Sequence, residues 1–269
     1  MYRSRQSLGG GSGGAGIRLI IGVVIAIFSL ISFFLSQEYN PVTGETQYLS
    51  LSADQEIALG LQSVPQMIQE FGGEYRDSQT QQAIDRIGFS LVESSAAARE
   101  SPWRFEFYVL DDPNTINAFA LPGGPVFITT ALLSRLETED QVAGVLAHEI
   151  IHVLARHSAQ QIAKSDLTNG LIGAVGVASG DASTTQTAQM IGQLVNMNYG
   201  RNDEIQSDTL GVCLMINAGY DPNEMIAVME VLASAGGGSQ PEFFSTHPNP
   251  ENRIQKIQDA IAGSADCQL

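Results

Sequence analysis

Basic residues and cysteines are both scarce in this sequence of 269 residues. It contains 13 lysines and arginines against 29 aspartates and glutamates, and only 2 cysteines. Because so acidic a surface repels phosphate backbones, we expect no nucleic-acid partner. Two cysteines exclude a disulfide-stapled miniprotein, and an apolar content of 43% excludes a disordered chain. The length and composition favour one large domain, or two small ones, with a well-filled core.

One stretch, residues 17–35, has almost no charge. It reads IRLIIGVVIAIFSLISFFL, and its only charged residue, Arg18, lies at its start. At about 1.5 Å of rise per residue, the run is close to the length that crosses the hydrocarbon core of a bilayer. A cleaved secretory signal and a buried helix of a soluble domain are the alternatives. Because the run is longer than a usual signal, and no small-x-small cleavage site follows Leu35, we expect an uncleaved transmembrane anchor.

Positive charge in the N-terminal region is confined to the start of this span. Arginines occur up to its second residue, and the next basic residue is Arg76. The positive-inside rule then makes the glycine-rich residues 1–16 a flexible cytoplasmic tail. Everything after the span is expected to be exported across the membrane. Residues 36–50 show no periodicity and are expected to be a linker, followed by one folded domain over 51–269.

The exported part has more helical than strand patterns. Alternation predicts a half-buried strand over 104–110, and PVFITT predicts a second strand over 125–130. Capping boxes begin helices at Ser52 and at Thr138, and we expect the second helix to continue to about Ile162. Because helices outnumber the clustered strands, we predict an α+β fold, a mostly helical domain with a small sheet. Further helices are expected from Ser78 and near 184–197, 203–218, 222–235 and 250–262.

The long predicted helix contains the motif His148-Glu149-Ile150-Ile151-His152. Residues four apart lie on one face of a helix, so both imidazoles project from the same side, one turn apart. This spacing allows two nitrogens to bind one Zn²⁺ per chain while Glu149 acts as the general base on water. A pair of buried helical histidines with an incidental glutamate is the alternative. We favour zinc because the motif is rarely met by chance.

Catalytic zinc needs a third protein ligand besides the two histidines. The metzincin pattern would place glycine at 155 and histidine at 158, where this chain has Ala155 and Ser158. His157 lies about 140° further around the helix than His152 and cannot share its metal. We therefore expect His157 to be structural, with a backbone carbonyl as one possible partner.

A second helix offers two carboxylates one turn apart. Residues 201–208 read RNDEIQSD, which places Glu204 and Asp208 at positions i and i+4. Glu204 would be the third metal ligand, and Asp208 could accept the N–H of a ligating imidazole and fix its tautomer. The alternative is an acidic helix start stabilised by the helix dipole, a role that Asp203 fits better.

Four blocks of sequence together resemble one protease family. In the same order, over about residues 50–262, they are similar to the membrane-associated gluzincins: HtpX, the CAAX prenyl endoproteases, the mitochondrial Oma-type proteases and bacterial periplasmic relatives. The resemblance implies a zincin fold that hydrolyses peptide bonds, and the single span resembles the exported members. Gln206 and Ser207 replace an acidic residue and an alanine that are usual in the family. The blocks are 117–124, 148–157, 201–208 and 245–248.

The resemblance also implies a role for His247. Its family position is beside the metal, where it would stabilise the developing oxyanion as a catalytic residue. As a neutral fourth ligand on a movable loop, with 236–239 as the hinge, it would instead displace water and silence the enzyme. A plain loop histidine is the remaining alternative. Arg253 is expected to be a structural ion-pair partner.

Gluzincins bind an extended peptide as an added strand along a sheet edge. The resemblance therefore implies polypeptide substrates in extended conformation. Asn117, Ala118 and Phe119 would line the edge, although core packing is an alternative role for Phe119.

The two cysteines, Cys213 and Cys267, leave two possibilities open. An exported chain with an even number of cysteines can pair them, which would fasten the C-terminal tail to the helix that carries Glu204. Neither thiol is needed as a metal ligand, so unpaired thiols are equally compatible with the sequence.

These observations predict a membrane-anchored zinc metalloendopeptidase. Its implied substrates, unfolded or misassembled membrane and envelope proteins, come from the resemblance alone. A zinc-stabilised periplasmic chaperone or assembly factor with little proteolysis needs the same cleft and is the alternative. A closed structural zinc site is disfavoured because it needs four ligands, unless His247 binds permanently.

Overall fold

The computed structural model describes residues 12–179, 199–235, 242–248, 252–264, 267 and 269. The fold is mostly helical with two small sheets, which confirms the predicted α+β class. The helices are α1 (Ser12–Leu35), α2 (Ala53–Glu70), α3 (Ser78–Ser94), α4 (Ala96–Arg99), α5 (Thr130–Leu133), α6 (Glu139–Leu154), α7 (His157–Ser179), α8 (Arg201–Ala218), α9 (Glu224–Ser234), α10 (Phe243–Thr246) and α11 (Arg253–Ala262). The strands are β1 (Gln37–Asn40), β2 (Glu45–Tyr48), β3 (Glu106–Leu110), β4 (Ala118–Ala120) and β5 (Pro125–Thr129).

The larger sheet has the strand order β3-β5-β4. Strands β3 and β5 are parallel, with Phe107 opposite Val126, and β4 is antiparallel to β5, with Phe119 opposite Phe127. Every residue of β5 is buried, because the strand lies between two others and contacts helices α2 and α6. The strands predicted from alternation are present, whereas β4 is too short to give a pattern.

Helix α6 runs through the core of the domain. Every residue from Ala143 to Leu154 is buried, and α3, α8, α9 and the sheet pack around it. Half of the predicted capping box is present, since the Thr138 hydroxyl accepts a hydrogen bond from the Gln141 backbone amide at 3.1 Å, whereas the Gln141 side chain accepts from the Glu137 amide rather than from that of Thr138. The polar side chains of this buried stretch, those of His148, Glu149 and His152, are therefore held away from bulk water.

Helix α6 ends before Arg156 rather than continuing to Ile162, so the predicted helix length is wrong. Arg156 has a φ of +56°, a left-handed conformation that does not occur inside a right-handed helix. Its guanidinium donates from Nε to Glu56 at 2.9 Å and from Nη1 to Glu38 at 2.6 Å. These contacts between distant segments hold the turn, and α7 begins at His157.

Residues 36–50 are not a linker, and that expectation is corrected. They form the antiparallel hairpin β1–β2, which closes the C-terminal end of α6. Asn40 donates from Nδ2 to the Leu154 carbonyl at 2.9 Å, and Gln47 donates from Nε2 to the Ala155 carbonyl at 2.9 Å. Both amides are buried and satisfy helix-end carbonyls that would otherwise lack partners. The segment is thus part of the domain.

Two predictions fall on parts of the chain outside the described residues. These are the helix near 184–197 and the hinge at 236–239. The helix predicted over 250–262 corresponds to α11, which begins at Arg253.

Helix α1 stands apart from the core. Among the described residues it is the one helix long and apolar enough to cross a membrane, and 6% of its apolar window is buried. Helix α7 lies along it in the opposite direction, with Ala174 and Ala178 against Gly22 and Gly170 against Ser29.

Candidate metal centre

Two imidazoles of α6 and one carboxylate of α8 converge in the core. The Nε2 atoms of His148 and His152 are 3.0 Å apart, as their one-turn spacing predicts. Glu204 approaches both, with Oε2 at 3.5 Å from His148 Nε2 and Oε1 at 3.4 Å from His152 Nε2. All three side chains are buried. The structure thus brings together the three residues expected to be metal ligands.

Helix α8 lies close to α6 at the level of His148. A side-chain carbon at Gly211 would lie 3.5 Å from the His148 backbone nitrogen, an ordinary van der Waals contact, and 3.0 Å from the flexible end of Met225. At the start of α8, Asp203 accepts a hydrogen bond from the Gly200 amide at 2.9 Å, so Asp203 has the helix-start role and Glu204 is free to face inward.

Asp208 orients His148. Its Oδ1 lies 2.9 Å from His148 Nδ1, and its Oδ2 accepts from Arg253 Nε at 2.5 Å. Burial would raise the pKa of Asp208, but the charge of Arg253 and the bond from His148 hold that pKa below its ordinary value. The ionised carboxylate accepts the Nδ1–H, so Nε2 is the His148 atom that faces the cluster. Asp208 therefore occupies the position predicted for it.

The site attracts positive charge. Burial lowers the pKa of His148, but bonds to Asp208 and Glu204 outweigh it and raise the pKa to about 9. Burial would raise the pKa of Glu204, yet His247, His148 and His152 hold it well below the ordinary value, so Glu204 is ionised. One carboxylate, that of Glu204, and the imidazole nitrogens of His148 and His152 are donors that suit a divalent transition metal.

His157 orients His152, a role that its sequence position did not indicate. The Nδ1 atoms of the two rings are 2.9 Å apart, and His157 Nε2 lies 3.0 Å from Gln206 Oε1. Burial lowers the pKa of both histidines, so both are neutral. Because Gln206 Oε1 can only accept, His157 donates from Nε2 and accepts at Nδ1 from His152. The Nε2 lone pair of His152 is then free, as a metal ligand requires.

His247 completes a cluster of four possible ligands. One ligand atom from each of His148, His152, Glu204 and His247 lies within 4.8 Å of all the others. His247 Nδ1 is 3.1 Å from Glu204 Oε1 and 3.3 Å from His148 Nε2. The His247 ring stacks on Phe243, with ring centroids 4.5 Å apart.

Glu149 is buried without a partner. Among the described residues, neither carboxylate oxygen of Glu149 has a hydrogen-bond partner, and His247 Nε2 lies 3.6 Å from its Oε1. Burial raises the pKa of Glu149, opposed by the charges of His247 and His148. A buried carboxyl without partners is costly. Its oxygens are available to accept a proton from a water molecule, so the side chains fit the metal and water that the motif implies.

Arg253 and Tyr199 border the cluster. Arg253 is buried and contacts Glu204 through Nη1 at 3.2 Å in addition to its bonds with Asp208. Its contacts agree with the predicted ion-pair role. Tyr199 stacks on His152 with a centroid distance of 4.0 Å and bonds Ser158 through its hydroxyl at 2.9 Å. Tyr199 was missed because it lies in the turn before α8, where no periodic pattern marks a buried residue.

The residues predicted to bind substrate lie on and beside an edge strand. Within the described part of the chain, β4 pairs with β5 alone, so its other edge is unpaired. Asn117 and Ala118 are buried, and Phe119 stacks on Phe127 at 4.8 Å. The strand position fits the expected edge, but these three side chains face protein. Any peptide at this edge would bond the backbone.

The C-terminal end of the chain is tied to the helix that carries Glu204. Cys213 of α8 and Cys267 form a disulfide, with their Cα atoms 5.4 Å apart. Helix α11 also packs against α8. The bond therefore holds the last residues near the helices that supply Glu204, Asp208 and Arg253.

Comparison with known proteins points to one family. The model of Peptidase family M48 matches residues 78–261. The chain is 31% identical over 233 residues to mitochondrial metalloendopeptidase OMA1 of Schizosaccharomyces pombe, which covers 85% of this chain and 68% of that protein. It is also 31% identical over 234 residues to the β-barrel assembly-enhancing protease of Escherichia coli K12, covering 83% and 47% respectively. A Yersinia pestis protein of the same name is 30% identical over 252 residues, covering 90% of this chain and 51% of the relative.

Proposed function

Because this chain belongs to peptidase family M48, and is therefore a metalloendopeptidase that acts on polypeptides, we propose that its metal is zinc and its substrates are unfolded or misassembled membrane or envelope proteins. The sequence resemblance to membrane-associated gluzincins is thereby confirmed. The observation that carries the proposal is the convergence of His148, His152 and Glu204 beside the unpartnered Glu149.

The donor set supports zinc. Two imidazoles and one carboxylate are the ligands of catalytic zinc in many peptidases, and the two cysteines are joined in a disulfide, so neither offers a thiolate that would favour a softer metal. Asp208 and the His157–Gln206 pair orient the two imidazoles from behind. Such outer contacts are typical of zinc sites. We assign one zinc ion per chain.

The chain's own residues perform the proton transfers. Zinc, when bound, polarises the peptide carbonyl and makes water acidic near neutral pH. Glu149 accepts the proton of the attacking water, and the protonated carboxyl then donates it to the leaving amine. Its raised pKa suits a group that must take up a proton and release it within one cycle.

His247 has two possible roles, and the geometry favours one. Its Nδ1 atom lies among the ligand atoms rather than at the distance of a group that binds only a substrate oxygen. We therefore propose that His247 caps the metal in a resting form and must swing away before hydrolysis. His247→Ala should then raise the rate on a small unfolded peptide. A rate that falls and never rises assigns His247 to oxyanion stabilisation.

The membrane location rests on α1 and on the disulfide. Helix α1 has the length and hydropathy of a single span, and the arginine at its start favours a cytoplasmic N-terminus. A Cys213–Cys267 disulfide persists in an oxidising compartment, which supports an exported domain. We propose a single-pass anchor with the catalytic domain outside the cytoplasm, the bacterial periplasm being the favoured site.

Substitution of the general base, Glu149, tests the proposed peptide hydrolysis. Full-length protein is purified in detergent, its zinc content is measured by mass spectrometry, and digestion of casein is followed alongside Glu149→Gln. The proposal predicts about one zinc per chain in both proteins and digestion by the native chain alone. Digestion by Glu149→Gln at the native rate, or a native chain without zinc, would overturn it. A cellular function that survives Glu149→Gln would favour the chaperone alternative.

A further inference from the structure

The second half of α7 has an unusual surface for a domain outside a membrane. After Asp166 the helix reads LTNGLIGAVGVAS, with no charged residue. Ile172 and Val175 expose 64% and 68% of their surface. These large apolar side chains project from a helix that extends away from the core, and their neighbour is α1.

Helices α7 and α1 pack through small residues. A side-chain carbon at Gly22 would lie 2.6 Å from the Ala174 carbonyl oxygen and 3.0 Å from Ala178 Cβ. A side-chain carbon at Gly170 would collide with the Ser29 hydroxyl. Backbones approach this closely where small residues line both helices, as they do in pairs of membrane helices. The position of α7 is therefore set by that of α1.

The register of the two helices gives the depth of α7. At 1.5 Å per residue, Ser29 lies about 9 Å and Gly22 about 20 Å along α1 from its end at Leu35. Wherever α1 crosses a hydrocarbon core about 30 Å thick, the residues of α7 beside Ser29 and Gly22 lie inside it too. Those residues are Gly170 at the shallower level, and Ala174 and Ala178 at the deeper one.

Polar residues mark the boundary at the same level on both helices. The last charges of α7 are Lys164 and Asp166, which fall within about 3 Å of the level of Leu35 by the same rise per residue. Near that end of α1, Tyr48 stacks on Phe33 with centroids 4.5 Å apart. Tyrosine is enriched at the membrane surface, where its ring is buried and its hydroxyl is wet.

We propose that residues 167–179 of α7 are embedded beside α1 in the half of the bilayer that faces the catalytic domain, with lipid covering Ile172 and Val175. This proposal rests on the membrane anchor proposed above for α1. Lipid is favoured over another protein as the occupant because the exposed face continues the equally exposed apolar surface of α1. The domain is then held to the membrane by two helices rather than by one tether.

The same geometry places the metal centre near the membrane surface. His157, the first residue of α7, contacts His152 and lies about 20 Å along the helix from Gly170, hence about 10 Å outside the level of Leu35. An extended chain spans this distance in about three or four residues. The substrate class that the site reaches most readily is therefore polypeptide segments directly adjacent to a membrane-spanning helix.

Depth is measured by fluorescence quenching in vesicles that contain brominated phosphatidylcholine. The chain has one native tryptophan, and the quenching of this residue is measured in the protein without substitutions. Ile172→Trp probes α7. Val24 is exposed on α1, so Val24→Trp is the control for a position inside the membrane. Ile254 is exposed on α11, so Ile254→Trp is the control for a position outside the membrane. We expect Ile172→Trp to be quenched at least half as strongly as Val24→Trp, with no added quenching at Ile254→Trp.

The outcomes separate the two proposals. Quenching of Val24→Trp without quenching of Ile172→Trp would keep the anchor and overturn the embedding of α7. Absence of quenching at both would overturn the anchor and the embedding together. Cysteine substitutions are avoided because the chain already contains a disulfide.

The substrate class is tested in the same vesicles with a single-span substrate. One unfolded cleavable segment is placed five residues from the span, and the same segment is supplied as a free peptide. At equal total concentration, we expect the tethered segment to be cut at least tenfold faster than the free peptide. Glu149→Gln should abolish the cleavage of both substrates. Equal rates would overturn the membrane-adjacent substrate class while leaving the peptidase intact, and cleavage of neither would contradict both.

Discussion

Two clusters of buried charged groups lie at the C-terminal half of α6, and they differ in how completely they are bonded. Around Arg156, every guanidinium nitrogen has an acceptor, from Glu56, Glu38 or the Leu51 carbonyl. Around His148 the set is incomplete, since both oxygens of Glu149 and Nε2 of His247 have no hydrogen-bond partner among the described residues. A saturated cluster has no capacity for a ligand and serves the fold. An unsaturated one retains capacity for a metal, a water and a substrate.

The comparison predicts that changes in the two clusters have opposite signatures. Glu149→Gln removes the general base and should lower peptide hydrolysis by about 10²–10⁴-fold. Because it also removes a buried carboxyl without a partner, the metal-free variant should melt at the native temperature or above it. The measurement is calorimetry beside a peptidase assay. A loss of activity that only follows a loss of folded protein would erase the distinction between the clusters.

Arg156→Met, in contrast, should lower the stability of the fold. It leaves Glu56 buried without its partner, and breaking a buried ion pair in this way costs about 3–5 kcal/mol of unfolding free energy. Denaturant unfolding measures this, with Arg156→Lys as the control that retains charge and should lose less. A variant of native stability would show that the saturated cluster is not structural.

The saturated cluster should also respond to pH. Burial raises the pKa of Glu56 from 4.5 to about 7, against the opposing bond and charge of Arg156. The folded chain therefore holds this proton more tightly than the unfolded chain does. The resulting stabilisation is present below about pH 4.5 and is lost as pH rises through 7, amounting to at most about 3 kcal/mol. The free energy of unfolding, measured from pH 4.5 to 8, checks this, and Glu56→Gln should flatten its pH dependence. An unchanged slope in that variant would show that the pH dependence comes from another group.

The smallest effect concerns the contacts behind the ligands. Gln206→Leu removes the acceptor that fixes the tautomer of His157, and through it that of His152. Loss of such a contact lowers zinc affinity by about 10–100-fold. Competition with a chromogenic chelator measures the affinity, and Gln160→Leu, the same change on α7 outside the cluster, should keep it. Equal zinc affinities in the two variants would show that the contact between Gln206 and His157 does not affect zinc binding.

Local patterns predicted what depends on neighbours in sequence. The cap at Thr138, the alternation of β3 and the shared face of His148 and His152 all follow from helix or strand geometry. The placement of Glu204 was predictable because it forms an i, i+4 pair with Asp208 on a predicted helix. The fold class follows from the same local patterns.

Local sequence patterns did not predict the features that depend on contacts between distant segments. The break at Arg156 depends on Glu56 and Glu38, which lie about 100 residues or more earlier in the chain. The hairpin over 36–50 is stabilised by bonding the end of α6, and its own residues carry no strand pattern. His157 looked misplaced for the metal because rotation around a continuous helix was assumed, and that helix is broken beside it.

The central claim, that Glu204 of α8 shares one metal with the two histidines of α6, is tested most directly by zinc stoichiometry. Mass spectrometry on the dialysed full-length protein should find about one zinc per chain, and Glu204→Ala should lose it. Asp203→Ala, a neighbouring carboxylate that caps α8 instead of facing the cluster, should keep it. Full retention of zinc by Glu204→Ala would contradict the account.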